Sequence, residues 1–98
     1  MIIVTGSILA KAEYLDKLLA LGLEHVRRSR TEPGCVSHAV HQDVENPLRL
    51  VFVEEWTDKE ALAAHFLVPA SREFVKTAME LAVTPPVLNI YDATPVEM

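Results

Sequence analysis

The apolar positions of this chain follow two periods, and each change of period marks an element. Residues 2–9, IIVTGSIL, are β-branched and apolar at both ends, which predicts a strand with both faces partly covered. The period then becomes helical over residues 12–31. Leu15, Leu18, Leu19, Gly22, Val26 and Ser29 recur at helix spacing, with Glu13, Asp16, Lys17, Glu24 and Arg27 around them. Gly22 inside a helix costs about 1 kcal/mol relative to alanine, and a close approach to a sheet would account for it. Glu32-Pro33-Gly34 ends the helix, because proline cannot continue it and glycine supplies the turn.

Period two returns over residues 35–43, CVSHAVHQD, with Val36, His38, Val40 and Gln42 on one face. Glu45-Asn46-Pro47 is turn chemistry, and residues 48–56 form the next strand, so the two strands make an antiparallel hairpin. That third strand points Leu50, Phe52, Glu54 and Trp56 to one side. Thr57 and Glu60 then read as a Thr-x-x-Glu capping box that starts a helix at about Asp58. On this helix Ala61, Leu62, His65 and Phe66 share a face. Pro69 interrupts the pattern, and a further helix is expected from about Ala70 to Val83, with Phe74, Val75, Ala78, Met79 and Ala82 inward. Pro85-Pro86 leads into a last strand over residues 87–91, VLNIY, in which Tyr91 is expected to be core.

The order β-α-β-β-α-(α)-β, with short connections and right-handed crossovers, predicts one α+β domain over residues 1–98. It is a ferredoxin-like four-stranded antiparallel sheet with the helices on one face. The other sheet face is apolar too, so the chain is expected to dimerise through its sheets into an α+β barrel.

Composition agrees with one small globular domain. The chain has 98 residues, half of them hydrophobic and 23% charged, and its mean hydropathy is slightly positive, which again favours a subunit interface. A net charge of -5 argues against nucleic acid. The one dense basic group, Arg27, Arg28 and Arg30, is expected to meet the negative end of the helix dipole. The single cysteine, Cys35, excludes an intrachain disulfide and reads as an inert thiol. No apolar run approaches a membrane span, and the N-terminus lacks the basic region of a signal peptide, so the expected location is the cytoplasm.

Gly-rich phosphate loops, Cys-x-x-Cys, His-Glu-x-x-His and Gly-x-Ser-x-Gly are absent. No metal is expected, since no spacing among the histidines and carboxylates supports one; His38 and His41 face opposite ways on a strand. The candidate chemistry lies at the corner from Val51 to His65. Glu54 sits mid-strand among apolar residues, where a carboxylate needs a partner or its proton. His65 is its nearest partner in sequence, and an imidazole, whose unperturbed pKa is near neutral, suits an acid/base role or a hydrogen bond to substrate. A satisfied histidine at a helix–sheet contact is the bland alternative. Trp56 is either core or an aromatic wall, and His38 is expected to project into the same cavity, with Phe52 and Phe74 as further lining. His25 and His41 are expected at the surface or an interface.

The chain resembles the antibiotic biosynthesis monooxygenase family, small dimeric ferredoxin-like proteins that include quinol monooxygenases. The resemblance covers nearly the whole chain. It rests on Ser29-Arg30-Thr31-Glu32-Pro33-Gly34-Cys35, Glu54-Glu55-Trp56, Ala61-Leu62-Ala63-Ala64-His65, and Pro69 with Phe74, in that order. It implies a homodimer, a pocket between sheet and helices, and oxidation of a small quinol or phenolic compound by O2 with no cofactor. It makes His65 the base or anion-holding group, Glu54 its orienter and Trp56 a wall. Relatives that degrade haem need an iron-ligating histidine on the last helix, and residues 71–83 contain none. Two other functions fit the scaffold: an isomerase or cyclase in which His65 and His38 move protons, and a non-catalytic small-molecule binding protein.

Overall fold

A computed structural model describes all residues, 1–98. The strands are β1 (Ile2–Leu9), β2 (Cys35–Gln42), β3 (Arg49–Trp56) and β4 (Val87–Asp92); the helices are α1 (Leu15–Ser29), α2 (Lys59–Leu67) and α3 (Pro69–Leu81). The sheet order is β2-β3-β1-β4, with every neighbouring pair antiparallel. This is the ferredoxin-like arrangement expected from the element order.

Several boundaries moved for local reasons. The first helix opens with a 3-10 turn, Ala12–Tyr14, before α1 begins. Thr57 does not cap α2. The N-cap is Asp58, whose Oδ1 accepts from the Ala61 N–H at 2.8 Å. Thr57 stays outside, its N–H held by the Gly34 carbonyl at 2.9 Å. Pro69 begins α3 at its first position, where the missing N–H costs nothing, while Val68 breaks α2 with extended backbone.

The β3 alternation holds throughout: Leu50, Phe52, Glu54 and Trp56 are all buried under the helices. Two apolar clusters form there. One joins Leu18 and Val26 of α1 with Leu50, Phe52, Ala78 and Leu81. The other joins Ile2, Val4, Trp56 and Leu62. Glu54 lies on β3 between Phe52 and Trp56, at the seam of the two clusters. Gly22 faces the sheet, and a β-carbon there would come within 3.2 Å of Phe52 Cζ, which explains a glycine in mid-helix.

The outer face of the sheet carries Ile3, Val51, Val53 and Tyr91 with no layer over it. Tyr91 is therefore not core in this chain; it is half exposed, as is the whole of the edge strand β4. Val75 and Met79, expected inward, are also half exposed, because α3 packs against α1 and stands off the sheet, leaving a cavity beneath it.

Candidate functional site

The cavity measures about 770 Å3 and opens between the sheet and α3. Its wall is mainly apolar, and His25, Phe52, Glu54, His65, Phe74 and Met79 all contribute to it. A space of that size suits a small organic ligand. Among the polar side chains in its wall, His25, Glu54 and His65 have identifiable partners.

His65 is delivered by α2, on the same helical face as Leu62, and is 3% exposed. Its Nδ1 lies 2.8 Å from Glu32 Oε1. A carboxylate only accepts, so the ring donates from Nδ1 and, when neutral, leaves a lone pair on Nε2. Nε2 is 4.0 Å from Glu54 Oε1. Glu54 is thus beside His65, as its strand position suggested, but the residue that orients the ring by a hydrogen bond is Glu32. No periodic signal marks Glu32; it sits in the turn after α1 and meets His65 only through the fold.

Glu54 Oε1 accepts from Trp56 Nε1 at 2.9 Å. His38 Nε2 stands 3.3 Å from the same oxygen, though poorly aligned for a full hydrogen bond. Burial is the largest single influence on Glu54 and opposes its charge. The contacts with His38 and Trp56 and the nearness of His65 outweigh it and hold the carboxyl below the usual range. Glu54 is therefore a carboxylate at neutral pH.

Two expected lining residues do not reach the cavity. Trp56 is fully buried among Ile2, Val4 and Leu62, with its indole N–H spent on Glu54. His38 is 1% exposed and packs edge-on against Trp56, its ring centroid 6.3 Å away. Both stand behind Glu54 and set its charge. Phe52 and Phe74 do line the cavity.

His25 replaces them, against the expectation of a surface or interface residue. It is 5% exposed and stacks on Phe74 at 4.3 Å with planes 10° apart. Its Nδ1 lies 3.0 Å from Arg28 Nη2. The signal was present: Leu18, Gly22, His25 and Ser29 share one helical face, all buried. The arginines after it also have specific tasks, Arg28 on His25 and Arg30 donating to the His38 carbonyl at 2.8 Å.

His25, His38 and His65 bring one ring nitrogen each within 4.8 Å of one another. A metal ion would require a free lone pair on each ring. Arg28 already occupies the Nδ1 lone pair of His25, and the other nitrogen of that neutral ring carries the proton. The cluster as built offers hydrogen bonds rather than three ligands. Cys35 takes no part: burial, then the charges of Glu54 and Glu32, push its thiol up, away from the reactive thiolate.

With this geometry in view, the chain's relatives are informative. Residues 1–77 match the profile of the antibiotic biosynthesis monooxygenase family. The chain belongs to that family. Its fold superposes on a Deinococcus radiodurans protein named for the same family, with a TM-score of 0.94 and 26% identity, covering 100% of this chain and 97% of that one. A conserved protein from Methanosarcina mazei Go1 gives 0.90 at 27% identity, covering 95% and 92%. An uncharacterized protein of Synechocystis is 33% identical over 90 residues, which is 92% of this chain. The chain spans only 61% of the length of that curated relative. No helix of this family member is long and apolar enough to cross a membrane.

Proposed function

We propose that this member of the family oxidises a small quinol or phenolic compound with O2, using no cofactor. The observation that carries the reading is an imidazole, His65, held through Nδ1 by Glu32 at 2.8 Å in the wall of an apolar cavity. His65 takes the hydroxyl proton of the substrate. The resulting anion is electron-rich enough to reduce O2 within a dry cavity. One oxygen atom enters a ring carbon and the other leaves as water. The phenol becomes a quinone and supplies all four electrons, so no outside reductant is needed. Glu32 and His65 also line a second, smaller groove, which offers the proton a way out.

Proton transfer without oxidation is a second reading, favoured by the contiguous rings of His25, His38 and His65. Oxygen uptake with a panel of quinols and naphthols, wild type against His65→Ala, separates the two. Uptake that depends on His65 supports the oxidase. No uptake with any compound, together with deuterium exchange into an activated ketone, would replace it with an isomerase.

We also propose that the chain works as a homodimer through the uncovered outer face of its sheet, where Ile3, Val51, Val53 and Tyr91 lie. Gel filtration at monomer mass would overturn this. The cytoplasm remains the expected compartment, since the lone Cys35 has no disulfide to form within the chain.

A further inference from the structure

We infer that His25 is a fixed hydrogen-bond donor to the reacting oxygen of the substrate, so that the cavity takes a phenol or enol bound through one free hydroxyl between His25 and His65. This deepens the phenol-oxidation reading and rests on it for the identity of the substrate. It rests on the geometry of the two rings for the mode of binding.

The tautomer of His25 follows from its neighbour. A guanidinium has five donors and no acceptor. With Arg28 Nη2 at 3.0 Å, His25 Nδ1 must accept. The neutral ring then carries its proton on Nε2, and no protein group accepts from it. The flat stack on Phe74 of α3 holds the ring in place. The charged and titratable groups around it are Arg28 on its own helix, His38 from β2, Glu54 from β3 and His65 from α2. Burial, then His38, His65 and Arg28, lower its pKa to about 3, so the ring stays neutral and does not compete as a base.

His65 is its complement. Glu32 fixes the proton on Nδ1 and leaves the lone pair on Nε2. One ring therefore gives a proton and the other receives one. The two ring centroids are 5.4 Å apart and one nitrogen of each ring lies within 4.8 Å of the other, a spacing that a single oxygen can bridge at ordinary hydrogen-bond length. A phenol hydroxyl placed there accepts from His25 and donates to His65. When the O–H bond breaks, its proton forms an N–H bond on His65 and the electron pair stays on oxygen. The phenolate then accepts from two N–H groups, one on each ring. A methyl ether has no proton for His65 and adds a carbon where the second ring must approach. A free hydroxyl is the feature selected.

The probe is 4-nitrophenol, whose phenolate is read by absorbance and which is too electron-poor to be oxidised readily. Failure of oxygen uptake therefore leaves this test standing. Wild-type protein should bind the phenolate in preference to the phenol, lowering the pKa of the bound probe by about one unit, with 4-nitroanisole bound at least about tenfold more weakly. His25→Phe should lose most of that preference, and His25→Gln, which keeps an N–H donor, should retain it. A wild-type protein that binds both compounds alike, or a His25→Phe variant with the full shift, overturns the inference. Should His25→Phe not fold, the ring 15N shifts of wild-type His25 decide: a proton on Nε2 across neutral pH supports it, and a proton on Nδ1 overturns it.

Discussion

Glu32 Oε1 lies 2.8 Å from His65 Nδ1, joining the turn after α1 to the buried face of α2 across 33 residues of chain. The bond sets both the rotation of the imidazole and which nitrogen faces the cavity. Gly34 makes it possible. Its φ of +82° lets the chain turn against α2, where a β-carbon would strike Ala61.

Glu32→Gln should therefore impair the base while leaving the cavity intact. The amide can donate to Nδ1 and stabilise the wrong tautomer, turning Nε2 into a donor. The expected result is a fall in kcat by about 10²-fold, the lower end of a general-base contribution, with KM little changed. Steady-state oxygen uptake measures both. A large rise in KM with kcat intact would assign Glu32 to binding instead.

Trp56→Phe tests the support of Glu54. It removes the buried N–H that Glu54 accepts at 2.9 Å and part of a fully buried ring. A hydrogen bond to a charged acceptor contributes roughly 1.5–3 kcal/mol, and the lost packing adds to it. Urea unfolding should show a loss of about 3 kcal/mol. The Glu54 carboxyl should also titrate higher by NMR.

Acid should destabilise the fold through His25. Its pKa falls from 6.5 to about 3 on folding, through burial first and then the nearby positive charges. Between those values the unfolded chain binds a proton that the folded chain refuses, so stability is full above the unfolded value and is lost as pH falls towards the folded one. At 1.36 kcal/mol per unit the loss across the window is roughly 3–5 kcal/mol. Urea melts of wild type between about pH 7 and 4 should fall more steeply than those of His25→Gln.

Gly22→Ala separates stability from function. Alanine gains about 1 kcal/mol of helix propensity, but its β-carbon would come within 3.2 Å of Phe52 Cζ. The ring has the cavity beside it and can yield in that direction. Thermal unfolding should change little, while 4-nitrophenol binding weakens because Phe52 intrudes on the site. A marked loss of stability with binding unaltered would mean that the ring does not move into the cavity.

Most of the fold was legible in the chain because it is written in local periods. The alternation of Leu50, Phe52, Glu54 and Trp56 placed all four under the helices, and the β-α-β-β-α-α-β order left one compact sheet topology. Some errors were of frame, such as Asp58 rather than Thr57 as the cap, where neighbouring residues have similar capping chemistry, and others were of burial, as at Tyr91, Val75 and Met79.

The site divides along the same line. The sequence by itself determined that Glu54 and His65 approach one another, since a strand end and the next helix keep them close. It also held the face on which His25 lies, beside Leu18, Gly22 and Ser29. Only the tertiary structure decided that Glu32 orients His65, that Arg28 leaves His25 a donor into the cavity, and that Trp56 and His38 stand behind Glu54 instead of lining it. Periodicity says which way a side chain points. Which partner it meets there depends on how α1, α2 and α3 pack over the sheet, and no local pattern encodes that.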